Sequence, residues 1–97
     1  MVIELNEKDF SKLINDKKNP YVVVDFYADW CGPCRMMAPI IEGISERYSK
    51  VKFAKLNVDE ASEVSSEYQI SSIPCIVFFK NGKEVDRVIG LLNEEVF

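Results

Sequence analysis

Seven consecutive residues, Tyr21-Val22-Val23-Val24-Asp25-Phe26-Tyr27, are β-branched or aromatic on both parities and are interrupted only by one carboxylate. A strand with one wet face alternates apolar and polar side chains, so a run like this belongs to a strand covered on both faces. Both covers must come from a chain of 97 residues, a length that supports one core and not two. The expected centre is therefore a buried strand with helices on either side.

The remaining segments arrange themselves around that strand. Val2 to Leu5 reads as a short strand, and Asn6 caps a helix with Phe10, Leu13 and Ile14 on one face and Asp9 completing a short capping box. Asn19-Pro20 ends the connection. Cys31 to about Ser49 reads as a helix with Met36, Met37, Ile40, Ile41 and Ile44 inward and with Pro39 in its interior, where the missing N–H predicts a kink. Val51 to Val58 is a third strand, Ala61 to Tyr68 a short helix, and Ser71 to Pro74 a loop. Cys75 to Lys80 and Glu84 to Ile89 form a hairpin across Asn81-Gly82, and Asn93 starts a last helix that reaches Phe97. Strands separated by helices pair in parallel through right-handed crossovers, while the hairpin is antiparallel. The expectation is one domain over residues 1–97, an α/β/α sandwich around a mixed central sheet.

Composition narrows the chemistry. Twelve basic against sixteen acidic residues leave a net charge of −4 with no run of Lys and Arg, so no footprint for a nucleic-acid backbone is present. The first residues carry no basic start, and the apolar runs are too short for a signal peptide or a membrane span. Three cysteines and no histidine exclude Cys-His and Ser-His nucleophile pairs and His-containing zinc sites. An odd cysteine count with two packed into Cys31-Gly32-Pro33-Cys34 reads as reactive thiols in a reducing compartment, with the cytoplasm the default.

Cysteines at i and i+3 at the start of a helix bring their sulfurs to one side, close enough for a small disulfide ring. Cys31 at the helix edge is expected to be the exposed thiol, its thiolate favoured by the positive helix end and by nearby Arg35. Cys34, one turn in, faces the protein. Pro33 suits a first-turn position, and Gly32 leaves room for a partner chain to approach the sulfur. The spacing supports a cycle in which Cys31 attacks and Cys34 resolves. A zinc-binding module remains the alternative, with Cys75 and an external ligand completing four-thiolate coordination.

The stretch from Asp25 to Arg35, Asp-Phe-Tyr-Ala-Asp-Trp-Cys-Gly-Pro-Cys-Arg, resembles the active-site segment of the thioredoxin family. The likeness continues through Pro39, the third-strand segment Ala54 to Asp59, Ile73-Pro74, Asn81-Gly82 and Ile89-Gly90. It implies a thioredoxin-like α/β/α sandwich and a protein thiol-disulfide oxidoreductase that cycles Cys31 and Cys34 between dithiol and disulfide. Under the same resemblance Asp25 is the buried carboxylate that moves the proton of Cys34, and Lys55 is the amine that moderates its charge. Burial in an apolar strand agrees, since desolvation raises a carboxyl pKa toward the range where general bases work; a structural hydrogen bond or an Asp25 to Lys55 ion pair is the competing reading. Pro74 resembles the family's cis proline, with Trp30, Gly32, Pro33, Ile73 and Gly90 forming a flat apolar docking surface on which the Ile73 backbone can pair with an extended substrate. No bound cofactor is implied; electrons come from a thioredoxin reductase and go to disulfide-containing client proteins.

Two departures from the family pattern stand out. Cys75 replaces the usual threonine after the proline, either as a small buried filler or as a regulatory thiol able to form an alternative disulfide. The closing segment Asn93 to Phe97 provides little more than one helical turn, too short to be stable alone. Reduced stability, or self-association through the sheet face left bare, is the expectation. A third reading keeps the fold and drops the chemistry: a non-catalytic subunit that uses this surface to bind a partner.

Overall fold

The computed structural model describes residues 1–90. Five strands form one mixed sheet: β1 (Val2–Leu5), β2 (Tyr21–Tyr27), β3 (Lys52–Asn57), β4 (Cys75–Lys80) and β5 (Lys83–Ile89). Their spatial order is β1-β3-β2-β4-β5. β3 runs parallel to both β1 and β2, while β4 is antiparallel to β2 and to β5. The run apolar on both parities thus lies in the middle of the sheet, as its pattern requires.

Three helices cover the faces: α1 (Glu7–Ile14), α2 (Gly32–Arg47) and α3 (Ser62–Glu67). Val22, Val24 and Phe26 point to the face of α1 and α3, packing with Phe10, Ile14 and Val64. Val23 points the other way, into a cluster with Met37, Ile41 and Ile44 of α2. Each such side chain withdrawn from water contributes roughly 1.5–3 kcal/mol. The lone acid of the strand, Asp25, lies on Val23's face, beneath the start of α2.

Local signals explain the element ends. Asn6 Oδ1 accepts a hydrogen bond from Asp9 N at 2.9 Å, which is the expected cap of α1. Asn81 and Gly82 have φ of 53° and 83°, the left-handed pair that a two-residue hairpin turn demands. The structure corrects one inward assignment: Met36 is 60% exposed. The buried stripe of α2 runs through Cys34, Met37, Ile41, Ile44 and Ser45, and Met36 is about 100° round the helix from Met37. β3 and α3 are also each shorter than their apolar segments, because their end residues turn into loops.

The short helix expected from Asn93 lies outside the described residues, as does the self-association argued from it. No helix among the described residues is long and apolar enough to cross a membrane.

Candidate active site

Cys31 and Cys34 are joined by a disulfide at the N-terminus of α2, with Cα atoms 5.2 Å apart. Cys31 is the N-cap residue in extended conformation, and Cys34 N points at its sulfur at 3.1 Å. Gly32 and Pro33 open the helix, where Pro33 lacks only a donor that would have had no helical partner. Apart from its chain neighbours and its own helix backbone, a Cβ placed on Gly32 would find no atom within 4 Å, which leaves room there for an incoming backbone.

The expected difference in exposure between the two thiols is corrected. Cys31 is 4% exposed and Cys34 is 3% exposed, because the pair packs with Ala28 beneath Tyr27, Val58 and Ile73. What distinguishes them is their surroundings. Cys31 Sγ lies 3.9 Å from the carbonyl oxygen of Ile73, in the loop whose Ile73–Pro74 peptide bond is cis. Cys34 lines a cavity of about 190 Å³ together with Asp25, Tyr27, Arg35 and Lys55.

Asp25 is 4% exposed and its Oδ1 has no hydrogen-bond partner. Burial pushes its pKa up to about 7, against an opposing pull from the Lys55 ammonium and with a smaller push from Glu4. Asp25 and Lys55 are register partners on β2 and β3, yet the Lys55 ammonium pairs with Glu4 Oε1 at 3.6 Å. A carboxyl so placed can hold or release a proton near neutral pH beside Cys34.

Around the disulfide, Trp30 is 69% exposed and its Nε1 donates to Asp59 Oδ2 at 2.9 Å. Asp59 N donates in turn to Asn57 Oδ1, and Asn57 Nδ2 reaches Asp29 Oδ2. Gly90 N donates to the Pro74 carbonyl at 2.9 Å, tying the end of β5 to the loop. The structure therefore brings Trp30, Gly32, Pro33, Ile73, Pro74 and Gly90 around one end of the sheet. Arg35 turns its guanidinium to the Asp29 carbonyl at 2.8 Å.

Cys75 packs in a different cluster from this pair. It is a free, buried thiol in the cluster of Phe10, Phe26 and Val77, under α1 and α3. Burial pushes its pKa up, with Arg87 pulling the other way. No group of three or more Cys, Asp or Glu side chains that could hold a metal occurs among the described residues.

Sequence reasoning missed Glu4, Tyr27, Asn57 and Asp59. Asn57 and Asp59 lie within the third-strand segment Ala54 to Asp59, and an acid shortly after a strand beside a tryptophan-bearing loop is a faint signal. Glu4 becomes visible only when β1 is paired with β3.

A disulfide capping a helix beside a buried acid, on a β1-β3-β2-β4-β5 mixed sheet, defines a dithiol–disulfide redox protein. The thioredoxin family model matches residues 1–97. Among relatives, Thioredoxin-2 of Saccharomyces cerevisiae is 56% identical over 71% of this chain, a match spanning 66% of that protein's own length, just under two thirds. The thioredoxin of Mycoplasmoides gallisepticum is 45% identical over 90% of this chain and 85% of its own. A solved Plasmodium falciparum thioredoxin superimposes with a TM-score of 0.91 at 38% identity, covering 98% of this chain and 92% of that one. The chain belongs to the thioredoxin family, whose members are thiol-disulfide oxidoreductases.

Proposed function

We propose that the chain is a protein disulfide reductase in which Cys31 is the attacking thiol and Cys34 the resolving one. The observation that carries this reading is that Cys34, and not Cys31, lines the cavity that holds the Asp25 carboxyl. In the reduced protein the Cys31 thiolate attacks a substrate disulfide, forms a mixed disulfide and expels one substrate thiolate, which takes a proton from water. The Asp25 carboxylate accepts the Cys34 proton as Cys34 attacks Cys31 Sγ, and the second substrate sulfur leaves as a thiolate that takes its proton from water, Asp25 later releasing its own to solvent. Two electrons have then passed to the substrate, leaving the Cys31–Cys34 disulfide. A thioredoxin reductase returns the pair to the dithiol with two electrons and two protons.

The exposed indole of Trp30, the open side of Gly32 and the loop at Ile73 and Pro74 support docking of an extended polypeptide beside Cys31, with Pro33 and Gly90 completing the surface. Such a surface suits disulfide-containing client proteins better than a small substrate held in a deep pocket. Lys55 moderates Asp25 by its charge. Residues 1–97 act as a single thioredoxin domain in the cytoplasm, where a reductase can keep the pair reduced. Cys75 acts as a packing thiol in this reading, and a disulfide to it requires its sulfur to leave the α1/α3 core.

A Cys34→Ser variant tests the assignment. Loss of the resolving thiol should leave protein substrates covalently attached through Cys31, recoverable as mixed disulfides that dithiothreitol releases. Attachment through Cys75, or no covalent capture at all, would contradict it; the latter is the outcome expected of a non-catalytic binding subunit.

A further inference from the structure

Glu4, Lys55 and Asp25 form a row across the sheet, since Glu4 is the register partner of Lys55 on one side and Asp25 its partner on the other. The Glu4 carboxylate is held at both oxygens. Oε1 lies 3.6 Å from Lys55 Nζ, and Oε2 accepts a hydrogen bond from the Tyr27 hydroxyl at 2.6 Å. Tyr27 contributes twice, because its ring centroid is also 5.4 Å from Lys55 Nζ. The ammonium is thus seated by a carboxylate and an aromatic face, while Asp25 Oδ1 in the same row has no hydrogen-bond partner.

An ion pair with side-chain exposures of 38% and 52% contributes little to folding. Its consequence is positional. An ammonium free to swing would approach the Asp25 carboxylate, whose Oδ1 has no hydrogen-bond partner, and stabilise the charged form. We infer that Glu4 is a positioning residue for proton exchange at Asp25: with Tyr27, it holds the Lys55 ammonium to itself and withholds it from the Asp25 carboxyl.

The groups that face Asp25 are Lys55 from β3, Glu4 from β1, Cys34 from α2 and Tyr27 from its own strand, with Asp29 and Arg35 on the same cavity and Cys75 one position from its β4 partner Ile76. Removing the Glu4 charge acts on Asp25 in one direction by two routes. A like charge is lost, and Lys55 is released toward Asp25. Both favour the carboxylate, in agreement with the directions in which Glu4 and Lys55 shift Asp25.

The inference rests on the reading that Asp25 exchanges a proton with Cys34, and the test separates the two. In the oxidised protein, where neither active-site thiol titrates, the Asp25 carboxyl is followed by carbon NMR across pH. Glu4→Gln should move its midpoint down by about one pH unit, and Lys55→Gln should move it up. In a Lys55→Gln background the effect of Glu4→Gln should shrink, because the route through Lys55 is gone. Tyr27→Phe keeps the ring and removes only the hydroxyl; it should give a smaller downward shift and carries the test if Glu4→Gln does not fold. An unchanged midpoint in Glu4→Gln, or an undiminished shift in the Lys55→Gln background, would overturn the positioning role. A resolving step whose pH dependence is the same in Asp25→Asn as in the parent would instead overturn the proton-exchange reading, whatever the NMR titrations show.

Discussion

Asp25 and Lys55 stand opposite each other in register on adjacent parallel strands, yet the Lys55 ammonium pairs with Glu4 and Asp25 Oδ1 keeps no hydrogen bond. The acid is therefore buried with Oδ1 unpartnered, on the cavity that Cys34 also lines. A fold optimised for stability alone would fill this position with an apolar side chain, as it does at Val23 and Ile76 nearby.

The pH dependence of stability follows from that burial. The Asp25 pKa is raised from an ordinary 3.8 to about 7, so the native state binds this proton more tightly than the unfolded chain does. The associated stability is fully present below about pH 4 and is lost as pH rises through 7. Asp25→Asn has no such loss. It should be more stable than the parent on the alkaline side by on the order of 4 kcal/mol, the difference vanishing toward acid pH, as read from urea unfolding on both sides of neutrality.

Trp30 is the only tryptophan of the chain, so its fluorescence reports directly on the surface proposed to dock clients. Asp59→Ala removes the acceptor of its Nε1 and should change the emission while altering stability by no more than about 1 kcal/mol. Steady-state reduction of a protein disulfide should then show a raised KM with kcat little changed. A fall in kcat at constant KM would mean that Asp59 serves the chemistry and not the docking surface.

Cys75 lies in the core under α1 and α3, and burial keeps its thiol protonated. Cys75→Ala should cost about 1 kcal/mol in urea unfolding through the small void it leaves, with disulfide reduction unaffected. Peptide mapping of the mildly oxidised parent should find only the Cys31–Cys34 bridge. A bridge to Cys75 would restore the regulatory reading of this thiol.

Much of this was legible in the sequence because it is local. Both-parity burial placed Tyr21 to Tyr27 at the sheet centre, Asn6 marked the start of α1, Asn81-Gly82 marked the hairpin, and the spacing of Cys31 and Cys34 marked the redox pair. What escaped depends on residues distant in the chain. Cys31 reads as exposed from its place at a helix edge, but the loop at Ile73 closes over it. Met36 reads as inward in an apolar-rich helix, whereas the stripe through Cys34, Met37 and Ile41 decides which face is buried. Glu4 on its short strand looks like an ordinary solvated acid until the β1–β3 register sets it beside Lys55.

The central claim is that Asp25 serves Cys34 and not Cys31, and single-turnover kinetics test it most directly. Reduced protein is mixed with a protein disulfide, quenched with acid at successive times, and resolved by mass into free, mixed-disulfide and oxidised forms. In Asp25→Asn the first attack should proceed at close to the parent rate, while the mixed disulfide through Cys31 accumulates because its resolution is slowed by about 100-fold, the lower end of what a positioned proton acceptor contributes. Equal slowing of both steps, or resolution at the parent rate with no accumulation, would contradict the account.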